Sequence, residues 1–216
     1  MILSKIITDL FKRLVNFPPV WNTLQYLVGA NNFKYQMYPS VFSAKNGRLL
    51  DFGCSCGNST SVFLDFDYTG IDIDPEAIEA AKRKFKNYPQ IKFLVADLIT
   101  GPFQTNFFDH ILFAGTAHHL KTAELELITK NLFLSLKPGG EFHFFDPIIQ
   151  NDKDNLITKL FLRFDQGKNM RSREVLEQFF RSNGYDIIET KIFKSPNRLI
   201  KLPDFLYLKI NKKRDD

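Results

Sequence analysis

The sequence predicts an α/β fold, a doubly wound and mostly parallel seven-stranded sheet with a terminal antiparallel hairpin. Three observations carry that expectation. From residue 48 onward, short apolar runs alternate with stretches of helical period. The runs are apolar enough to imply strands covered on both faces, as in a largely parallel sheet. The last two extended runs follow one another with no helix between them, which suits an antiparallel pair at a sheet edge.

Residues 2–15 set Ile2, Leu3, Ile6, Ile7, Leu10, Leu14 and Val15 near one face of a helix. Pro18 and Pro19 break it, and Gly29 opens a further turn. RLLDFG at 48–53 is the first strand, and GNSTSVFLD at 57–65 reads as the helix after it. YTGIDI at 68–73 is the second strand. PEAIEAAKRKFKNY at 75–88 is a helix capped by Asp74, with Pro75 and Glu76 in its first turn. IKFLVAD at 91–97 and FDHILFAG at 108–115 are strands three and four. TAELELITKNLFLSL at 122–136 is a helix stopped by the turn KPGG, and EFHFFDP at 141–147 is the fifth strand. SREVLEQFFRSNGY at 172–185 is a helix, capped by Ser172 and ended at Gly184. DIIETKIF at 186–193 and FLYLKIN at 205–211 complete the hairpin.

The 216 residues suffice for one domain, 1–216, in which 1–45 form an N-terminal helical cap or substrate-side extension. Lys plus Arg number 29 against 24 Asp plus Glu, a net +5. Part of the excess lies in the final NKKRDD and part in KRKFK at 82–86, so nucleic acid is not an expected partner. The two cysteines, Cys54 and Cys56, are one residue apart; a disulfide there would be strained, and a four-thiolate metal site is excluded. They suit a reducing compartment. No apolar stretch approaches the roughly 20 residues of a membrane span. Asp9, Lys12 and Arg13 interrupt the start and argue against a signal peptide, so a cytoplasmic location is expected. Helix 2–15 packs on its own domain in the plainer reading; with Phe11 and three basic residues it also suits a membrane surface.

Ligands of a doubly wound sheet bind beyond the carboxyl ends of its strands. The turn LLDFGCSCGNST, residues 49–60, holds both a nucleophile-elbow pattern, Gly-x-Ser-x-Gly at 53–57, and a glycine turn, Asp51-x-Gly53-x-x-x-Gly57. Asp72 ends strand two and is placed to accept hydrogen bonds from the two hydroxyls of a ribose, with Ile73 behind it. Asp74 serves as the helix cap, which leaves Asp72 for a ligand. Asp97 ends strand three, where it can receive the exocyclic amine of adenine while Leu98 offers a backbone amide. In FAGTAHHL at 113–120, Ala114 and Gly115 let a ligand lie against the chain. His118 and His119 there either reach a substrate or act as caps and surface groups.

This constellation resembles the class I S-adenosylmethionine-dependent methyltransferases. The family's acidic residue followed by Gly-x-Gly-x-Gly is matched by Asp51, Gly53, Ser55 and Gly57; its ribose acid falls on Asp72 and its adenine-side acid on Asp97. FFDHILFAGTAHHL looks like the fourth-strand motif, and LKPGGEFHFFDP like the turn and fifth strand. The likeness covers 48–146 closely and runs loosely through RSREVLEQFFRSNGY. Ser55 departs from the family's glycine and leaves less room for the methionine part of the cofactor. The first 47 residues match no particular subfamily.

The resemblance implies a Rossmann-like methyltransferase fold using S-adenosyl-L-methionine and releasing S-adenosyl-L-homocysteine. Asp51, Gly53, Cys54 and Gly57 would lie under the amino acid part, Asp72 and Ile73 at the ribose, Asp97 and Leu98 at the adenine, and Ala114 beside the sulfonium. It implies direct methyl transfer to a small-molecule acceptor. A methyltransferase acting on RNA or protein, or a non-catalytic cofactor-binding subunit, is the alternative.

Three rivals explain less. A hydrolase needs a histidine after the fifth strand, and the chain's four are His110, His118, His119 and His143. A nicotinamide dehydrogenase leaves Asp97 and LKPGG unexplained. A nucleic-acid amino-methyltransferase would carry Asn or Asp before Pro-Pro-Tyr where FAGT stands; NFPPVW at 16–21 lies far upstream. Asp146 ends strand five without evident carboxylate partners, so no metal is expected. His118 and His119 are the candidate catalytic bases, and His143 reads as a satisfied core histidine. The acceptor pocket is expected from 1–45 and 147–171, whose Trp21, Tyr26, Phe33, Tyr35, Tyr38, Phe161 and Phe164 suit an aromatic or lipid-like molecule.

Overall fold

The computed structural model describes residues 35–42, 45–149, 169–194 and 203–212. The helix expected at 2–15, the break at Pro18 and Pro19 and the turn at Gly29 lie outside these residues.

The strands are β1 (Arg48–Phe52), β2 (Asp67–Asp72), β3 (Ile91–Val95), β4 (Phe108–Ala114), β5 (Leu136–Ile148), β6 (Tyr185–Phe193) and β7 (Asp204–Lys212). They form one seven-stranded sheet in the order β3-β2-β1-β4-β5-β7-β6. β1 to β5 are parallel, while β7 runs antiparallel between β5 and β6. The chain moves outward from β1 to β3, then returns to the other side of β1 for β4. The crevice between the carboxyl ends of β1 and β4 is therefore the topological switch point.

Side chains alternate across each strand, so one pleat supplies two cores. Leu50, Ile111, Phe113, Phe142, Phe144, Leu206 and Leu208 face Leu125, Ile128, Leu132 and Phe133 of helix α2 (Thr122–Ser135) and Leu176 and Phe180 of α3 (Arg173–Ser182). Leu49, Tyr68, Leu112, Phe145 and Tyr207 face Ile78 and Ala81 of α1 (Pro75–Lys84) together with Met37, Tyr38, Val41 and Phe42. Each fully buried Phe or Leu contributes about 1.5–3 kcal/mol of burial free energy, and both faces are covered, as the apolar runs required.

The helix starts follow from local chemistry. Asp74 accepts from the amides of Glu76 and Ala77, with Pro75 in the first turn of α1, and the Ser172 side chain accepts from Val175 at the start of α3. Two expectations are corrected. Residues 57–65 form no α-helix: a single 3-10 turn, Thr60–Val62, is all that stands between β1 and β2. The hydroxyls of Ser59, Thr60 and Ser61 are engaged by Tyr38, Tyr68 and Tyr35, and β2 begins too soon for a helix and a return. The KPGG segment is not a turn before β5 but lies within it, where the register to β4 shifts between Phe108 and His110 and Gly139 takes φ +78.

Candidate active site

The turn after β1 is held to β2. The amides of Gly53 and Cys54 both donate to the Ile71 carbonyl, at 2.8 and 3.1 Å, and the Gly57 amide donates to the Cys54 carbonyl at 3.0 Å. Gly53 has φ +75, and a Cβ there would stand 2.3 Å from Thr116 Oγ1. A side chain is excluded on both counts, so the loop after β4 lies directly against this turn. Gly57 has φ +74, and its Cβ would meet Phe85 at 2.7 Å. Ser55 also adopts a left-handed conformation, φ 49, at the position where glycine would be at ease.

Asp51 is buried and accepts a 2.5 Å hydrogen bond from Tyr68, whose hydroxyl receives one from Thr60 in the 3-10 turn. The chain from Asp51 to Thr60 spans the turn from its first residues to its last. Burial, reinforced by the charges of Asp51 and Asp72, pushes the Cys54 thiol up, so it stays protonated at neutral pH. Cys54 and Cys56 are both free thiols.

Asp72 is not left idle by the capping role of Asp74. Its Oδ2 accepts from the Ser55 amide at 2.9 Å and its Oδ1 from the Asp74 amide at 3.0 Å. An ionised carboxylate has about four acceptor positions, so two amides fix its orientation and leave capacity for a ligand. Ile73 beside it is 68% exposed. Asp97 is exposed and accepts from the Ile99 amide at 2.9 Å. Leu98 is a core residue whose carbonyl receives the Asn131 side chain at 2.6 Å. Because β2 pairs with β3 in register Asp72 to Val95, Asp72 and Asp97 stand at the same carboxyl edge of the sheet.

On the β4 side, Ala114 pairs with Phe145, and the Gly115 amide donates to the Phe145 carbonyl at 2.8 Å. The next turn, Ala117–His119, carries both candidate bases, and the structure separates them. His118 is buried and places Nδ1 2.9 Å from Oδ1 of Asp146, at the end of the neighbouring strand β5. His119 is exposed, with its ring centroid 4.1 Å from that of His118. Burial raises the Asp146 pKa, opposed by His118, His119 and Arg171. The Arg171 guanidinium braces this turn by donating to the carbonyls of Ala117 and Leu120 at 3.0 and 2.8 Å. Neither the Asp146 partnership nor the Arg171 brace was among the expectations. The first could be anticipated only from β4 and β5 being neighbours.

Of the expected acceptor-pocket aromatics, Tyr38 is a core residue, edge-on to Phe145 at 4.8 Å and 2% exposed, while Tyr35 is half exposed and bonded to Ser61. Trp21, Tyr26, Phe33, Phe161 and Phe164 lie outside the described residues. His143 is a buried core residue. Its Nδ1 is 3.1 Å from the Tyr207 hydroxyl, and its Nε2 stands 3.3 Å from Glu141 Oε2, outside good hydrogen-bond geometry.

Known proteins bear on this arrangement. A methyltransferase domain family matches residues 49–140. A sterol 4-C-methyltransferase of Caenorhabditis elegans is 28% identical over 160 residues, covering 71% of this chain; the chain spans 47% of that relative's length. An uncharacterized methyltransferase of Oceanobacillus iheyensis is 29% identical over 157 residues, 72% of this chain and 70% of the relative. Among solved structures, Phospholethanolamine N-methyltransferase 2 of Haemonchus contortus, in complex with phosphomonomethylethanolamine and S-adenosylhomocysteine, superposes with TM-score 0.74 at 14% identity, covering 95% of this chain and 60% of that one. Sheet order, glycine turn and strand-end acids together define a Rossmann-like methyltransferase fold. The match over residues 49–140 and the sheet order are similar to those of the class I S-adenosylmethionine-dependent methyltransferases.

Proposed function

We propose that the protein transfers the methyl group of S-adenosyl-L-methionine to a small-molecule acceptor. The observation that carries this reading is the 2.9 Å hydrogen bond from the Ser55 amide to Asp72, which draws the glycine turn and the acid ending β2 to one side of the switch-point crevice. The residues present fit the cofactor. Gly53 and Gly57 shape a turn that side chains would fill, Asp51 fixes it through Tyr68, and Cys54 lines it as a neutral thiol. Asp72 offers its remaining acceptor capacity to a ribose, the exposed Ile73 offers an apolar surface beside it, and Asp97 with Leu98 stands where adenine would lie. Ala114 and its neighbour Gly115 border the reacting centre.

The sulfonium supplies an electrophilic methyl carbon, so the protein itself needs no nucleophile. Its task is alignment, exclusion of water and, for a hydroxyl or ammonium acceptor, removal of a proton. His118 is the group we assign to that proton. With Nδ1 turned to Asp146, proton transfer runs through Nε2, and the carboxylate stabilises the imidazolium that results. His119, exposed to solvent, is the weaker base.

A small acceptor of aromatic or lipid-like character is supported by the sterol substrate named for one relative. Contact of residues 2–15 with a membrane surface belongs to the same reading; among the described residues no helix is long and apolar enough to cross a membrane. The free thiols suit the cytoplasm. The same reading treats 1–216 as one methyltransferase domain with 1–45 on the acceptor side. The test is incubation of the purified protein with methyl-labelled cofactor and fractionated cell extract. Label in low-molecular-mass or lipid fractions is expected; label confined to RNA or protein overturns the acceptor class, and absence of cofactor binding by calorimetry overturns the whole.

A further inference from the structure

Four buried side-chain atoms among the described residues lack a hydrogen-bond partner, and three of them converge: His110 Nδ1, Glu141 Oε2 and His143 Nε2. One ligand atom from each of the three residues lies within 4.8 Å of the other two. His110 Nδ1 is 3.5 Å and His143 Nε2 3.3 Å from Glu141 Oε2. Ligand atoms about 2.1 Å from a tetrahedral ion stand roughly 3.4 Å apart, so both separations match a shared ion.

The register builds the cluster. His110 is the β4 partner of Glu141 on β5, and His143, two residues further along β5, shares the face of Glu141. The site lies nearer the amino ends of the parallel strands than the His118 and Asp146 pair does. His110 is 6% and His143 0% exposed.

Two of the ligands have their other polar atom occupied. Tyr207 holds His143 Nδ1, and Lys209 pairs with Glu141 Oε1. Phe42 stacks on the His143 ring at 3.7 Å. Outer partners of this kind fix the tautomer and aim the coordinating atom in a metal site. Without an ion, both rings would have to turn a proton toward the same Glu141 oxygen, at 3.5 and 3.3 Å; one shared cation replaces both protons.

We propose that His110, Glu141 and His143 bind one divalent transition-metal ion of the zinc class, tying β4 to β5, with water entering from the partly exposed Glu141 side. Two imidazoles and one carboxylate select such an ion over magnesium or calcium. The proposal does not depend on methyl transfer.

The full chain is stripped with chelator and titrated with zinc chloride by calorimetry, with metal content read by mass spectrometry. One ion per chain is expected, with affinity at least ten-fold weaker in H110N and in E141Q and retained in the H118N/H119N double variant. No saturable binding, survival of binding in both H110N and E141Q, or its loss in H118N/H119N overturns the site. If H110N and E141Q do not fold, cobalt chloride added to the wild-type chain decides. A ligand-field spectrum without a thiolate charge-transfer band, unchanged in H118N/H119N, is expected, and a thiolate band would place the ion at Cys54 or Cys56 instead.

Discussion

His118 and Asp146 meet across the carboxyl ends of β4 and β5, Nδ1 to Oδ1, at 2.9 Å in a buried setting. A carboxylate so placed fixes the imidazole's orientation and stabilises its protonated form. D146N is therefore expected to lower kcat by 10²-fold or more while leaving the cofactor dissociation constant within about three-fold, and H118N should do the same. Steady-state kinetics paired with calorimetry check this; two fully active variants would remove His118 from proton transfer.

Asp72 joins two backbone amides to the proposed ribose position. D72A should raise the cofactor dissociation constant at least ten-fold, about 1.4 kcal/mol, and release the Ser55 turn. An unchanged constant by calorimetry refutes the assignment.

Gly53 combines φ +75 with a Cβ position 2.3 Å from Thr116 Oγ1. G53A is expected to be destabilised by the left-handed penalty of about 1–2 kcal/mol plus the cost of displacing Thr116. Adding T116A should recover the second part only. Urea unfolding of the single and double variants separates the two, and a G53A protein as stable as wild type would contradict the close approach.

Ser55 occupies the left-handed region without being glycine. S55G sheds that strain, whereas S55A retains it, so S55G should exceed S55A in stability by about 1 kcal/mol. Equal midpoints in thermal unfolding would show that the turn relaxes to accommodate either.

Asp109 accepts from the Arg48 amide at 2.9 Å and pairs with Lys137. Burial pushes its pKa up, but the Lys137 and Arg48 hydrogen bonds outweigh it and the net direction is down. A depressed carboxylate pKa stabilises the fold above the unfolded value near 3.9, and that contribution is lost as pH falls through the lower folded value. Because the Asp109 side chain is 35% exposed, D109N should cost less than about 1 kcal/mol at pH 7. The difference from wild type should shrink in denaturation at pH 3 and in high salt; a difference constant from pH 7 to pH 3 would contradict it.

The succession of strands and helices and the helix caps were legible because they rest on local signals: apolar runs, Asp74 before Pro75, Ser172 ahead of α3. The glycine turn and the strand-end acids were legible for the same reason. What escaped was set by distance along the chain or by competition. Asp146 finds His118 only once β4 and β5 are side by side, 28 residues apart in sequence. Residues 57–65 read as a helix, yet the short return to β2 and the tyrosine contacts of Ser59, Thr60 and Ser61 limit them to one 3-10 turn. The convergence of His110 and His143 on Glu141 depends on inter-strand register, which no local signal carries.

The abbreviated crossover between β1 and β2 has an electrostatic outcome. A full helix starting at the glycine turn would project about half a positive charge onto it, and a single 3-10 turn projects far less. On the proposed reading, a cationic methyl donor approaching this turn meets little opposing field, while its neutral demethylated product gains nothing from the change. Preference for the charged form then falls to the surrounding carboxylates.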